Sequence, residues 1–147
     1  MIKPDINLLV YAYDDTSPFH KAACAWLEEV LSSEQVFFSW QTLCGFLRIV
    51  TNPRIYRQPM DLSDAIEIVE SWLEVKNSHL VSLDKKSWPL FVSMLTAGQA
   101  PGDLVMDAHL AAMAASCGAA VASTDRDFTR FPGLQFTNPI AKAYRAN

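Results

Sequence analysis

Five aspartates carry the chemistry that this sequence can do. Asp103 and Asp107 lie four positions apart, so on a helix their carboxylates share one face. Asp125 and Asp127 follow the apolar run at 119–123, and Asp5 follows the opening segment Met1, Ile2, Lys3, Pro4. Carboxylates brought close together repel unless a cation neutralises them. Oxygen-only donors select a hard divalent ion, Mg2+ or Mn2+, over zinc. Such an ion keeps waters, polarises a phosphate oxygen and orients a hydroxide, which suits phosphodiester hydrolysis.

Particular elements must position these acids. Residues 102–118 read as a helix in which Ala108, Ala111, Ala112 and Ala115 lie on or beside the inward stripe. Gly118 suits the left-handed position that stops it. Residues 119–123 read as a buried strand with polar residues at its carboxyl end, and residues 2–5 as a first strand ending in an acid. In a parallel sheet all carboxyl ends point one way, and ligands bind there. Asp5, Asp107 and Asp125 can therefore converge although far apart in sequence. Local roles compete with this reading. Asp5 can be a strand-end turn residue, Asp103 the cap of its helix, and Asp127 the cap of a short turn at 127–131. Asp107 is harder to explain that way, because aspartate has poor propensity within a helix. Residue types alone leave both readings open.

The rest of the chain alternates strands and helices. A helix begins at Ser17 as cap with Pro18 as its first residue, and Phe19, Ala22, Ala23, Trp26, Leu27, Val30 and Leu31 repeat at helical spacing. Strands are expected at 36–39, 80–83 and 134–136, with a polar tail after the last. Further helices carry Leu43, Phe46, Leu47 and Val50, then Leu62, Ala65, Ile66, Val69, Trp72 and Leu73 behind the pair Asp61 and Asp64, then Trp88, Phe91, Val92 and Leu95 up to Gly98. Bulky groups such as Trp26 and Trp72 belong to a core or mark an interface. The pattern predicts one α/β domain over residues 1–147, with a mainly parallel sheet of four or five strands flanked by helices. Half the residues are hydrophobic and 19% are charged, which excludes a disordered chain. No apolar run is long enough to span a bilayer, and the N-terminus lacks a signal-peptide layout, so no membrane association and a cytoplasmic location are expected. Cys24, Cys44 and Cys117 fall inside helices without metal-type spacing and read as buried free thiols. The net charge of −4 does not advertise nucleic-acid binding, although acids gathered in a metal site bias that figure.

The stretches PDINLLVYAYD, FLRIVTNPRIY, DAHLAAMAASCGAAVASTDRDF and RFPGLQFTNPI occur in that order and span nearly the whole chain. In these the sequence resembles the PIN-domain ribonuclease toxins of the VapC type. The resemblance implies a PIN-like fold, a metal-dependent endoribonuclease cutting structured RNA such as tRNA or rRNA, a VapB-like antitoxin and a homodimer. It implies Asp5, Asp107 and Asp125 as metal ligands and catalytic groups, with Asp127 as an additional loop acid. One departure stands out. Many relatives carry Glu directly before the Phe of the Phe-Leu-Arg segment, where this chain has Gly45. The departure motivates a second reading, a PIN-fold module that binds RNA or an antitoxin without efficient turnover.

A reader of RNA needs cations near the acids. Arg48, Arg54, Arg57, Arg126 and Arg130 are the candidates. Arg126 contacts a phosphate or neutralises its flanking acids, and Arg48 binds RNA or pairs with an acid. Trp40 and Tyr56 can stack on bases, although core or loop packing is the ordinary role of a lone aromatic. Ser123 and Thr124 orient a water or phosphate, or cap a turn. His20, His79 and His109 are scattered, and no glycine-rich phosphate loop or nucleophile elbow is present. Ile6, Asn7 and Leu8 after Asp5 argue against a phosphotransfer enzyme, which needs a second acid close behind its nucleophile.

Overall fold

The computed structural model of the chain describes residues 1–141. The polar tail lies from residue 142 on outside the described residues. Five strands, β1 (Ile2–Pro4), β2 (Val36–Ser39), β3 (Ser78–Val81), β4 (Ala120–Ala122) and β5 (Phe136–Thr137), form one sheet in the order β3-β2-β1-β4-β5. Every pairing is parallel. The helices are α1 (Ile6–Tyr13), α2 (His20–Ser33), α3 (Trp40–Val50), α4 (Leu62–Glu74), α5 (Trp88–Ala97) and α6 (Leu104–Cys117). The expected α/β architecture is present, with five strands.

Two cores fill the two sides. One joins Leu8, Leu9, Leu27, Phe38, Phe46 and Trp72, and the other joins Ala108, Ala111, Ala112, Val121 and Phe128. Trp72 stacks on Phe38 with ring centroids 5.5 Å apart and donates from Nε1 to the Tyr13 hydroxyl at 3.1 Å. That bond satisfies the one polar atom of a side chain otherwise surrounded by apolar groups. The alanines of α6 are fully buried as expected, except that Ala115 is exposed and Ala114 buried in its stead. Helix α6 stops at Gly118 (φ 64°), where Gly118 donates to the Ala115 carbonyl and Ala119 to the Ala114 carbonyl.

Several boundaries differ from expectation. Ser17 does not cap α2. Its hydroxyl accepts from the Phe19 amide in a separate turn, and α2 begins at His20. Strand β3 starts at Ser78, two residues early, because an edge strand tolerates exposed His79 beside an exposed Leu80. Strand β5 begins at Phe136, where it meets Val121. On α4, Ala65, Val69 and Trp72 point inward while Leu62, Ile66 and Leu73 are exposed. The thiols are not buried: Cys44 is exposed and Cys24 and Cys117 are partly so. Among the described residues no helix is long and apolar enough to cross a membrane.

The sheet order reverses direction at β1. From β1 the chain builds outward to β2 and β3 on one side, and β4 and β5 lie on the other. Helices leaving β1 and β4 depart to opposite sides at such a point, which opens a crevice beyond the carboxyl ends of these two strands.

Candidate active site

Asp5 stands at the carboxyl end of β1, where its amide donates to the Ala122 carbonyl of β4 at 2.9 Å. Asp5 also caps α1, its Oδ1 accepting from the Ile6 amide at 2.7 Å. Its Oδ2 accepts from the hydroxyl of fully buried Ser123 at 2.6 Å. The Ser123 oxygen in turn accepts from the Asp125 amide at 3.0 Å and from Asn7 Nδ2 at 3.0 Å. One hydroxyl thus locks the end of β1 to the loop after β4. Sequence reasoning offered Ser123 as an orienting or capping group, and here it orients a carboxylate. Asn7 was missed as a site residue, and its Oδ1 is buried with no hydrogen-bond partner.

Asp125 caps a 3₁₀ turn at Arg126–Arg130 by accepting from the Asp127 amide at 2.8 Å. The cap of this turn is therefore Asp125, not Asp127. Asp107 lies in the first turn of α6, where the helix dipole favours a negative charge. The turn and the helix bring Asp107, Asp125 and Asp127 together, with one carboxylate oxygen from each lying within 4.8 Å of the others. Asp5 stands beside this trio rather than in it, with Oδ1 accepting from Ile6 and Oδ2 from Ser123. Asp103 occupies the cap position of α6, is exposed, and makes no side-chain cap bond.

The electrostatics record the crowding. Burial, then the charges of Asp5, Asp125 and Asp127, push the Asp107 carboxyl up to about 6, against the opposing pull of Arg130. Burial also raises Asp5, with Asp125 adding to the effect, while its bonds to Ser123 and Ile6 and the charge of Lys3 oppose it. Lys3 is fully buried in β1, and its ammonium donates to the Phe37 carbonyl at 3.4 Å. Burial brings its ammonium down to about 8. A lysine in a central strand breaks the apolar pattern, a signal that sequence reasoning passed over. Among the described residues, the only ion pair to the trio is Arg130 Nη2 to Asp127 Oδ1 at 3.2 Å. Arg130 also donates to the Gly98 and Gln99 carbonyls, which anchors the turn to the end of α5. The neutralising role considered for Arg126 thus falls to Arg130, and Arg126 is exposed. Carboxylate oxygens in excess of nearby cations are the donor set that a hard divalent ion fits.

Ile6, the residue after Asp5, packs over the position of the missing glutamate: a Cβ on Gly45 would lie 2.4 Å from Ile6 Cδ1, so that side-chain end would have to turn aside. Arg48 is exposed in the last turn of α3 and makes no ion pair among the described residues. Tyr56 is half-buried and donates to Asp14 Oδ2 at 3.3 Å, in keeping with loop packing. Trp40 is not packed away, being 62% exposed. His109 Nε2 lies 3.4 Å from Gln41 Nε2, while His20 and His79 lie on other elements.

Residues 3–134 match the PIN domain family. The chain is similar to Ribonuclease VapC37 of Mycobacterium tuberculosis, with 36% identity over 93% of this chain and 96% of that protein. It is similar to Ribonuclease VapC33 of the same organism, with 34% identity over 95% of this chain and 99% of that protein. Its fold matches a chain in the crystal structure of VapBC2 from Rickettsia felis bound to a promoter DNA fragment (TM-score 0.68, 17% identity, 94% of this chain and 98% of that one). It also matches a chain of VapBC-1 from nontypeable Haemophilus influenzae (TM-score 0.64, 17% identity, 95% and 98%). A family match over nearly the full length and relatives above 30% identity lead to one conclusion: this chain belongs to the PIN-domain family, in its VapC group.

Proposed function

We propose that this chain is a metal-dependent endoribonuclease, the toxin of a toxin–antitoxin pair, which hydrolyses phosphodiester bonds in structured RNA such as tRNA or rRNA. The observation that carries the proposal is the gathering of Asp107, Asp125 and Asp127 beside Asp5 at the sheet's reversal point. Relatives named as ribonucleases support the reaction class, and fold neighbours that are VapBC complexes support a VapB-like antitoxin as partner. Mg2+, for which Mn2+ can substitute, would be held by Asp107 and Asp125 with Asp5 and Asp127 alongside. Once bound it supplies charge stabilisation at a phosphate oxygen and a more acidic water. Asp5 keeps a fixed direction through Ser123 and Ile6 and adds negative charge where a water's proton must go. Asp127, paired through Oδ1 with Arg130, adds a further acid that orients a water beside the ion. Arg126, exposed between two of the acids, contacts a substrate phosphate. A homodimer acting in the cytoplasm, where such RNA resides, belongs to the same proposal.

The test is cleavage of tRNA and rRNA with Mg2+, repeated with Asp5→Ala and Asp107→Ala. Each variant is expected to lose at least about a hundredfold in rate, and unchanged cutting refutes the assignment. Sequencing the ends of RNAs cut on induction in cells identifies the target. One observation favours a second reading. Position 45 is a glycine with Ile6 packed over it, so it supplies no carboxylate beside Asp5. A module with weakened turnover would show a thermal midpoint raised by Mn2+ and no RNA cleavage.

A further inference from the structure

The acids account for hydrolysis and leave open what holds the RNA strand on either side of the cut. We infer that the outer face of α3, from Trp40 to Arg48, is that track, with Trp40 stacking on a nucleobase and Arg48 pairing with a backbone phosphate. This deepens the nuclease reading above and rests on it.

Position is the first argument. Strands β1 and β2 run parallel from the pair Ile2 and Val36, which brings Ser39 level with Asp5. Trp40 is the next residue. The contact between Gln41 and His109 ties the first turn of α3 to α6, two residues beyond Asp107. The start of α3 therefore lies at the same edge of the sheet as the acids.

Helical phase is the second argument. Thr42, Leu43, Phe46 and Val50 take the inward face of α3. Ser39 fixes that phase by accepting from the Thr42 amide at 3.4 Å. Residues 40, 44 and 48 then share one outward stripe, and all three are exposed. Trp40 and Arg48 stand about 12 Å apart along the axis, two turns of helix.

Charge is the third argument. Arg48 lies at the end of the stripe, and exposed Arg54 and Arg57 follow in the loop beyond it. Among the described residues none of the three makes an ion pair. In a chain of net charge −4, three arginines without ion pairs thus lie on or just beyond this helix, the last of them sharing a pocket with Asp14 and Asp15. An exposed aromatic continued by arginines suits a polyanion carrying stacking bases, and because interfaces between proteins also favour Trp and Arg, sedimentation is measured beside RNA binding.

The experiment measures anisotropy of fluorescein-labelled tRNA and of a labelled oligouridine, with Ca2+ in place of Mg2+, alongside cleavage rates in Mg2+. Trp40→Ala is expected to weaken binding about tenfold, and Trp40→Phe to retain most of it. Arg48→Ala is expected to weaken binding and to lower the slope of log affinity against log salt by about one. Sedimentation of Trp40→Ala is expected to match the unaltered protein. If the unaltered protein binds and cuts RNA and Trp40→Ala does so equally well, the track is refuted while the nuclease reading survives. If Trp40→Ala instead dissociates to a smaller species with RNA binding intact, the face is a contact between copies and the inference is wrong. If the unaltered protein neither binds nor cuts either RNA, the nuclease reading fails and takes the track with it.

Discussion

Asp107 is the residue on which the charge of the site converges. Its carboxyl titrates at about 6 instead of 3.8, first because it is partly buried and then because three other aspartates surround it. Between those two values the folded chain holds more protons than the unfolded one. In the metal-free protein this group therefore favours folding most below about pH 4, and the contribution declines as pH rises to about 6, above which the penalty is complete. Subtracting the thermal midpoints of Asp107→Asn from those of the unaltered protein is expected to reveal a downward slope confined to that window. Mg2+ is expected to raise the midpoint more at pH 7.5 than at pH 5, since protonated carboxylates bind cations poorly. A midpoint indifferent to Mg2+ and Mn2+ at pH 7.5 removes the cation from this reading. Ser123 allows a sharper test of preorganisation. Ser123→Ala leaves Asp5 Oδ2 and the Asp125 amide without their shared partner. A stability loss of about 1.5–3 kcal/mol is expected in urea, together with slower RNA cleavage. The aspartates were visible in the sequence, but the network joining them was not, because Asn7 and Ser123 are separated by most of the chain and are ordinary polar residues until folded.

At the scale of elements, the approach of α1 to α3 decides what position 45 can hold. Gly45 lies inside α3, where alanine is favoured over glycine by about 1 kcal/mol. Against that gain, a Cβ there would meet Ile6 Cδ1 at 2.4 Å and Cγ1 at 3.1 Å. Gly45→Ala is therefore expected to destabilise by about 1 kcal/mol, and in an Ile6→Val background, which lacks Cδ1, the same change is expected to be neutral or stabilising. A double-mutant cycle in urea measures the coupling, and additivity would show that Ile6 simply rotates away. Helix α6 was readable from its alanines and from Gly118, because those residues act locally. Helix α2 starts later than the sequence predicts, since Ser17 and Pro18 carry a helix-start signature that the chain spends on a preceding turn. Strand β3 starts earlier than the sequence predicts, because an edge strand is solvated on one side and lacks a continuous apolar signal.

For the whole molecule, Trp72 measures how much of the fold rests on one aromatic cluster. It is 1% exposed and touches Tyr13, Phe38 and Phe46, which come from α1, β2 and α3. Trp72→Ala is expected to cost about 3–5 kcal/mol, a large share of a stability of about 5–15 kcal/mol. Urea unfolding at equilibrium checks this, and a loss below about 1 kcal/mol would mean that the core can collapse around the gap. The sequence by itself determined the α/β class, the parallel sheet, the run of helices and the acids available, because periodicity, turn residues and charge act over short spans. Tertiary structure alone decided which acids form the close trio, that Arg130 and not Arg126 neutralises one of them, that Trp40 faces solvent, and that Ile6 packs over Gly45. These outcomes depend on strand order, helical phase and the distance between helices, and those quantities exist only once remote segments have packed against one another.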